Sequence, residues 1–259
     1  MILRALVLSL MVPLSVSAAE PESRLFEIRT VTPHKGKWKA LTDRFKTHVV
    51  PMFERNGAST IGYFVPIDPK VEKVVYFLAF KDHEARNRTM VKIDQDPIWN
   101  KAFTESEMNG PLAKEVYGTL LTATDYSPRI KPVREISKTT FELRTYTASK
   151  GNILVLNDRF RQHTLKLFEK HGMTNYGYWF VANVDQPVNS KLSKEDTLIY
   201  MLAHDSPDAA VKSFAAFRSD PAWIKAKADS EKKVGGSLTA SKNGVVSEFF
   251  KPAEWSPRK

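Results

Sequence analysis

Apolar and polar positions alternate in some segments of the chain and recur at helical spacing in others. The alternating run from Leu25 to Val31 predicts a β-strand. The turn residues Pro33 and Gly36 follow, and a helix is then predicted that ends near Gly57. The apolar positions with helical spacing are Trp38, Leu41, Phe45, Val49 and Met52.

The next segments predict a hairpin, a second helix and a last strand. Residues 61–65 and 71–80 have the pattern of paired strands. Asp96 followed by Pro97 is a helix-start signal, because aspartate caps the first free N–H groups and proline fits the first helical turn. Residues 116–123 supply the last strand. The order β-α-β-β-α-β is that of a ferredoxin-like unit.

The same pattern occurs twice. FEIRTVTPHKG (26–36) returns as FELRTYTASKG (141–151), with seven of eleven positions identical. DRFKTHVVPMFERNGASTIGYF (43–64) aligns with DRFRQHTLKLFEKHGMTNYGYW (158–179), with nine of 22 positions identical. The chain is therefore predicted to contain two tandem α+β units, at 24–128 and 139–257, joined by a surface linker at 129–138.

The duplication predicts how the two units pack. In a ferredoxin-like sheet the helices cover one face, and a single unit has nothing to cover the other. Two four-stranded sheets that turn their open faces together would form a pseudo-dimeric α+β barrel with an inter-sheet cavity. A monomer then contains its own pair of units, although a homodimer stays an alternative.

These motifs resemble the NIPSNAP family. The residues that carry the resemblance are FELRTYT, DRFRQHTLKLFEKHG, GYW and FAAFRSDPAW, and the first copy shows them in weaker form. The resemblance implies tandem NIPSNAP domains with a ferredoxin-like fold that pairs into a dimeric α/β barrel. It implies no settled catalytic residues: the family is discussed in terms of vesicle traffic, mitochondrial association and protein contacts, while other proteins with this barrel include cofactor-free oxygenases.

The first nineteen residues predict export. MILRALVLSLMVPLSVSAA has one positive charge at Arg4, an apolar run and small residues before a cleavage site, as a secretory signal peptide does. Its apolar core is shorter than a spanning helix needs, so no stable membrane insertion is expected after cleavage. The alternative is an uncleaved N-terminal anchor. The predicted location is periplasmic or secreted.

Charge and composition narrow the possible partners. The formal net charge is +10, and the positive charges are scattered among carboxylates, which argues against a nucleic-acid interface. The chain has no cysteine, which excludes disulfides and thiolate chemistry. The six histidines include no pair at i, i+4 spacing, so no metal site is predicted. The sequence has no phosphate-binding glycine loop and no dinucleotide fingerprint, so no other cofactor is predicted.

Charged residues on the first strand of each unit are the first candidates for ligand binding. Glu27 and Arg29 alternate with apolar residues, as do Glu142 and Arg144 in the second copy. If the apolar residues meet the helices, these four charged residues face the interior. Arginine there would bind a carboxylate or enolate-like oxygen; alternatively, each pair is a structural ion pair.

Aromatic residues and histidines are further candidates. Tyr63 and Tyr178, in the repeated GYF/GYW segment, are predicted to line the ligand pocket or to fill the core, whereas the repeated tryptophans are predicted to belong to the core. His48 and His163 occupy matched helix positions and are weak catalytic candidates; the alternative is a hydrogen-bonded core histidine.

Three functional hypotheses follow. The first is an exported protein that binds a small, partly apolar molecule in the inter-sheet cavity. The second is a cofactor-independent monooxygenase- or isomerase-like enzyme, and the third is a protein-interaction module without a ligand cavity. The size of the interior space distinguishes the third from the other two.

Overall fold

The computed structural model describes residues 22–187 and 189–257 of the 259-residue chain. The predicted signal peptide at 1–19 lies outside the described residues. The first half contains β1 (Leu25–Pro33), α1 (38–55), β2 (Ser59–Pro66), β3 (Val74–Phe80), α2 (His83–Asp94), α3 (Pro97–Ser106) and β4 (Ala113–Ala123). The second half contains β5 (Thr140–Thr147), α4 (153–170), β6 (Thr174–Val181), β7 (Thr197–His204), α5 (Pro207–Ser219), α6 (Pro221–Val234) and β8 (Val245–Pro252).

The predicted second helix is two helices in each half. The predicted start at Asp96 is confirmed, because its side chain accepts hydrogen bonds from the backbone N–H groups of Ile98 and Trp99. An additional helix, α2, precedes it and is capped by Asp82. The sequence did not reveal α2 because its twelve residues are mostly polar and only a narrow stripe of them is buried.

Both long helices contain a π-helical turn in the same place. The turn spans Phe45–Val49 in α1 and Phe160–Thr164 in α4. Each turn directly follows a buried arginine, Arg44 or Arg159. Such turns interrupt the regular i→i−4 hydrogen bonds and are often found near functional sites.

The eight strands form one closed barrel. Their order around it is β1-β3-β2-β8-β5-β7-β6-β4, with every neighbouring pair antiparallel. Each half supplies four adjacent strands in ferredoxin-like order. The halves join where β2 pairs with β8 and β4 pairs with β6. The predicted fold class is therefore confirmed: two ferredoxin-like units pair as a pseudo-dimeric α+β barrel.

Aromatic and aliphatic side chains from both halves fill the barrel interior. Phe26 contacts Trp179 with ring centroids 6.0 Å apart, and Phe64 contacts Phe141 at 5.2 Å. All four side chains belong to one buried apolar cluster. The prediction that the charged residues of β1 and β5 face this interior is wrong. A charge at its centre would have only apolar neighbours, whereas the opposite face reaches arginines on the helices and the solvent.

The linker between the halves is not confined to the surface. Ile130 and Val133 are buried in the interior cluster, and Tyr176 Oη donates a hydrogen bond to the Lys131 carbonyl oxygen at 2.6 Å. A Cβ on Gly62 of β2 would lie 2.8 Å from Val133 Cγ1. Because β2 and β6 lie on opposite sides of the barrel, the linker crosses its interior at the end where β4 finishes and β5 begins. Within the described residues, no helix is long and apolar enough to cross a membrane.

Candidate functional site

A buried ion-pair cluster lies between β1 and the helices of the first half. Glu27 is fully buried, and its carboxylate accepts hydrogen bonds from Arg29 Nε at 2.6 Å and from Arg86 Nε at 2.9 Å. Burial alone would raise the pKa of Glu27, but the charges and hydrogen bonds of Arg29 and Arg86 hold it below its usual value. The carboxylate therefore stays ionised and fixes the Arg29 guanidinium.

Arg29 lines a cavity of about 350 Å³ between the sheet and the helices of the first half. A second arginine, Arg44, also lines it, pairs with Glu107 and lies 5.2 Å from the Phe103 ring centroid. The other lining residues are largely apolar or aromatic: Val31, Phe45, Val49, Met52, Phe53, Tyr76, Met90, Ile93, Asp94, Trp99, Phe103 and Val116. This combination of apolar walls and a few fixed polar groups is typical of small-molecule sites.

The second half has a corresponding cluster with different partners. Arg144 Nη1 donates to Glu142 Oε1 at 2.7 Å, and Ser247 Oγ donates to the same oxygen. His204 is buried, and its Nε2 atom lies 3.3 Å from Glu142 Oε2. Burial would raise the pKa of Glu142, but His204, Arg144 and Ser247 hold it below its usual value.

Arg144 lines a separate and smaller cavity of about 200 Å³. The other lining residues are Tyr146, Phe160, Thr164, Phe168, Phe214, Phe217, Arg218, Trp223 and Lys227. The four charged residues that the sequence placed at one shared cavity are thus divided between two sites, because each belongs to the helix-facing side of its own half.

The two predicted tyrosines lie behind these cavities. Tyr63 and Tyr178 are fully buried and stack on Tyr76 and Tyr200, each with ring centroids 5.3 Å apart. Neither is among the residues that line the two cavities. Burial raises the pKa of both hydroxyls, so they stay protonated at neutral pH. Their positions support the core alternative.

The predicted histidines do not reach either cavity. His48 is half-buried on the π-helical turn of α1. His163 is exposed and borders a small pocket of about 90 Å³ with Asp229 and Lys233. Neither histidine lines the cavity that holds Arg29 or the cavity that holds Arg144.

Sequence reasoning missed several cavity residues. Trp99 and Trp223 were predicted to belong to the core, yet each is half-buried and lines a cavity. Arg44 was also missed as a site residue. Its signal was the repeated DRF segment, in which a matched pair of arginines precedes an apolar residue on the buried side of a helix.

A family model matches residues 26–128 and 141–257, and so covers both halves. Its description is NIPSNAP. The chain belongs to the NIPSNAP family. No curated protein sequence matches this NIPSNAP chain.

Solved structures of two kinds are similar to this NIPSNAP chain. An uncharacterized NIPSNAP-like domain protein from Burkholderia xenovorans is 19% identical, over 43% of this chain and 94% of that one, with a TM-score of 0.38. A putative monooxygenase from Fusobacterium nucleatum is 8% identical over 92% of this chain and 95% of that one, with a TM-score of 0.54. Another putative monooxygenase, from Lactobacillus acidophilus, is 9% identical over 89% of this chain and 94% of that one, with a TM-score of 0.52. The structures of the two putative monooxygenases show that the paired-unit fold is shared.

Proposed function

We propose that this protein binds a small, partly apolar molecule in the first-half cavity, with Arg29 donating hydrogen bonds to an oxygen of the ligand. The single observation that carries the proposal is the fixed guanidinium of Arg29 beside an apolar space of about 350 Å³. A space of that volume lies in the range of small-molecule sites. The proposed site therefore lies between sheet and helices, not between the two sheets.

The Arg29 guanidinium is held in place by Glu27, but it can still donate a hydrogen bond to a ligand. Glu27 accepts the hydrogen bond from Arg29 Nε, while Arg29 Nη2 lies 3.2 Å from the Met90 sulfur. A thioether is a weak hydrogen-bond acceptor, so a carbonyl, phenolate or carboxylate oxygen of a ligand would replace it favourably. The fixed orientation lowers the entropic cost of binding.

Thermal-shift measurements with 2-naphthoic acid and 1,4-naphthoquinone test the proposal. Wild type is expected to gain melting temperature with at least one of these probes, because a ligand that binds only the folded state stabilises it. Met90→Phe fills the cavity and is expected to abolish the shift. The second half already has Phe214 at the matched position, so the substitution suits the fold.

The control is Met108→Phe, the same chemical change at a methionine that is 79% exposed. It is expected to leave the ligand shift unchanged. Equal shifts in wild type and Met90→Phe would place the ligand elsewhere. The absence of any shift in wild type would contradict the proposal and favour the third hypothesis, a protein-interaction module, which the filled barrel interior also supports.

A second candidate is a cofactor-independent oxygenase or isomerase that acts on the bound molecule. The observation that favours it is again Arg29, because a fixed guanidinium in an apolar site stabilises the negative oxygen of an enolate or phenolate. The two putative monooxygenases share the fold, which is support by analogy only. Oxygen uptake with 1,5-dihydroxynaphthalene tests it. Uptake that Arg29→Met removes would support the enzyme, and no uptake by wild type would count against it.

Export and a monomeric state are also part of the proposal. Residues 1–19 support export to the periplasm or the medium, and mass spectrometry of the mature N-terminus tests it. A monomer is supported by barrel closure within one chain, since β2–β8 and β4–β6 pairing leaves no barrel edge for a second copy. We propose no nucleic-acid partner because the positive charges are scattered among carboxylates, and no stable membrane insertion because the apolar core of residues 1–19 is short. Light scattering of the purified protein measures the oligomeric state.

A further inference from the structure

The two cavities occupy the same place in the two halves, but matched positions hold different residues. Three positions that narrow the second cavity hold bulkier side chains there. Tyr146, Phe214 and Phe217 stand where the first half has Val31, Met90 and Ile93. The cavity in the second half is the smaller of the two, at about 200 Å³ against about 350 Å³.

The charged residues at the openings of the two cavities also differ. Arg218 stands where the first half has Asp94, and Lys227 stands where it has Phe103. Within the described part of the chain, the second cavity is lined by Arg144, Arg218 and Lys227 and by no carboxylate.

The two positively charged side chains at the opening of the second cavity are available to bind a ligand. Arg218 and Lys227 are exposed, and neither forms an ion pair with another described residue. Glu142, at the floor, accepts hydrogen bonds from Arg144 and Ser247, and the buried Asp220 is bound by Lys170 and His171. Three cations around one small space attract an anion and raise its rate of entry.

Aromatic side chains form much of the wall of the second cavity. The Phe217 and Trp223 rings lie 4.4 Å apart, and the Arg144 guanidinium carbon lies 4.6 Å from the Phe214 ring centroid. Aromatic walls favour stacked or edge-on contacts with another ring. A dry cavity of about 150 Å³ already holds one benzene ring, so about 200 Å³ has room for one ring with a carboxylate.

We infer that the second-half cavity is a separate binding site for a single-ring aromatic carboxylate. The carboxylate is bound by Arg144 at the floor and attracted by Arg218 and Lys227 at the mouth. The chain thus has two non-equivalent sites, one in each half, and the duplication allowed the two to differ. This inference does not depend on the ligand proposed for the first-half cavity.

Calorimetric titration with benzoate and with benzamide tests the inference. The two probes have nearly the same shape and differ in charge. Benzoate is expected to bind wild type about tenfold more tightly than benzamide, as one additional charge-assisted interaction predicts. The double variant Arg218→Asp and Lys227→Phe, which copies the first half, is expected to weaken benzoate binding about tenfold and to leave benzamide unchanged.

Two control variants keep the test specific. Lys212→Asp is the control for charge, because Lys212 is exposed on the same helix as Arg218 and does not line the cavity. It is expected to change benzoate affinity less than about twofold, given the screening of exposed charges. Met90→Phe fills the first-half cavity and is expected to leave benzoate binding intact.

Three results would overturn the inference. The first is equal affinity of wild type for benzoate and benzamide. The second is no benzoate binding at about 10 mM, which corresponds to a binding free energy weaker than about 3 kcal/mol. The third is loss of benzoate binding in Met90→Phe. The last result would assign the carboxylate to the first-half cavity. Melting temperatures of all variants check that each is folded, and the mutated side chains at 218 and 227 are exposed, so folding is expected to persist.

Discussion

Arg29 donates a hydrogen bond from Nε to Glu27 Oε1 at 2.6 Å, on the side of β1 that faces the helices. Arg86 approaches the same carboxylate from α2. The sheet and a helix are therefore connected through one buried acid, and the position of the proposed binding group depends on that acid.

Glu27→Gln is expected to destabilise the protein by about 3 kcal/mol, because it leaves two partly buried guanidinium groups without their counter-charge. Urea unfolding at pH 7 measures the change. Glu84→Gln is the control, since Glu84 is exposed and pairs with Arg88 on the surface, where ion pairs contribute at most about 1 kcal/mol. Equal effects of the two substitutions would show that the buried pair has no special role.

Asp96 makes stability depend on pH in the acid range. Burial alone would raise its pKa, but hydrogen bonds from Arg55, the Trp99 backbone and Asn56 lower it from 3.8 to about 2. A group whose pKa is lower in the folded state contributes stability above its unfolded pKa and loses it as the pH falls. The contribution of Asp96 is therefore expected to be complete above about pH 5 and to be lost progressively as the pH falls through 3.8 and then through about 2.

The measurement is urea unfolding of wild type and Asp96→Asn at several pH values. Asparagine keeps the helix cap but cannot ionise. Wild type is expected to be more stable at neutral pH, with the difference decreasing as the pH approaches about 2. A difference that does not change with pH would assign the effect to something other than the charge of Asp96.

Gly62→Ala is expected to destabilise the protein by about 1–3 kcal/mol, as over-packing of a core does. The new Cβ would lie 2.8 Å from Val133 Cγ1, in the linker that crosses the barrel. Adding Val133→Ala should recover part of this loss, which a double-mutant cycle detects. Gly236→Ala is the control, because a Cβ there meets nothing within 4 Å. Simple additivity of the two substitutions would contradict the contact.

Separate halves are expected to associate. Residues 22–128 alone would expose the apolar interior face of their sheet and the unpaired edges of β2 and β4. Co-expression of 22–128 with 129–257 should give a one-to-one complex, because only pairing buries both faces. Size-exclusion chromatography with light scattering measures its mass. Two stable, separate monomers would mean that barrel closure contributes little.

Repetition and periodicity in the amino-acid sequence are sufficient to predict most of the fold. The repeated FEIRT/FELRT strand, the DRF helix and the Asp-Pro cap defined two ferredoxin-like units, and the uncovered sheet faces required that they pair. Helix α2 was not found because few of its residues are buried, so its pattern has little contrast.

Tertiary structure alone decided on which side each set of residues lies. Period-two alternation separates Glu27 and Arg29 from Phe26 and Ile28, but it does not say which set faces the helices. That choice depends on the partners that the rest of the chain provides: Arg86 from α2 for the charges, and Trp179 from the opposite sheet for the rings. Local sequence holds no information about such distant partners, so the ligand cavities became visible only when both halves and their helices were in place.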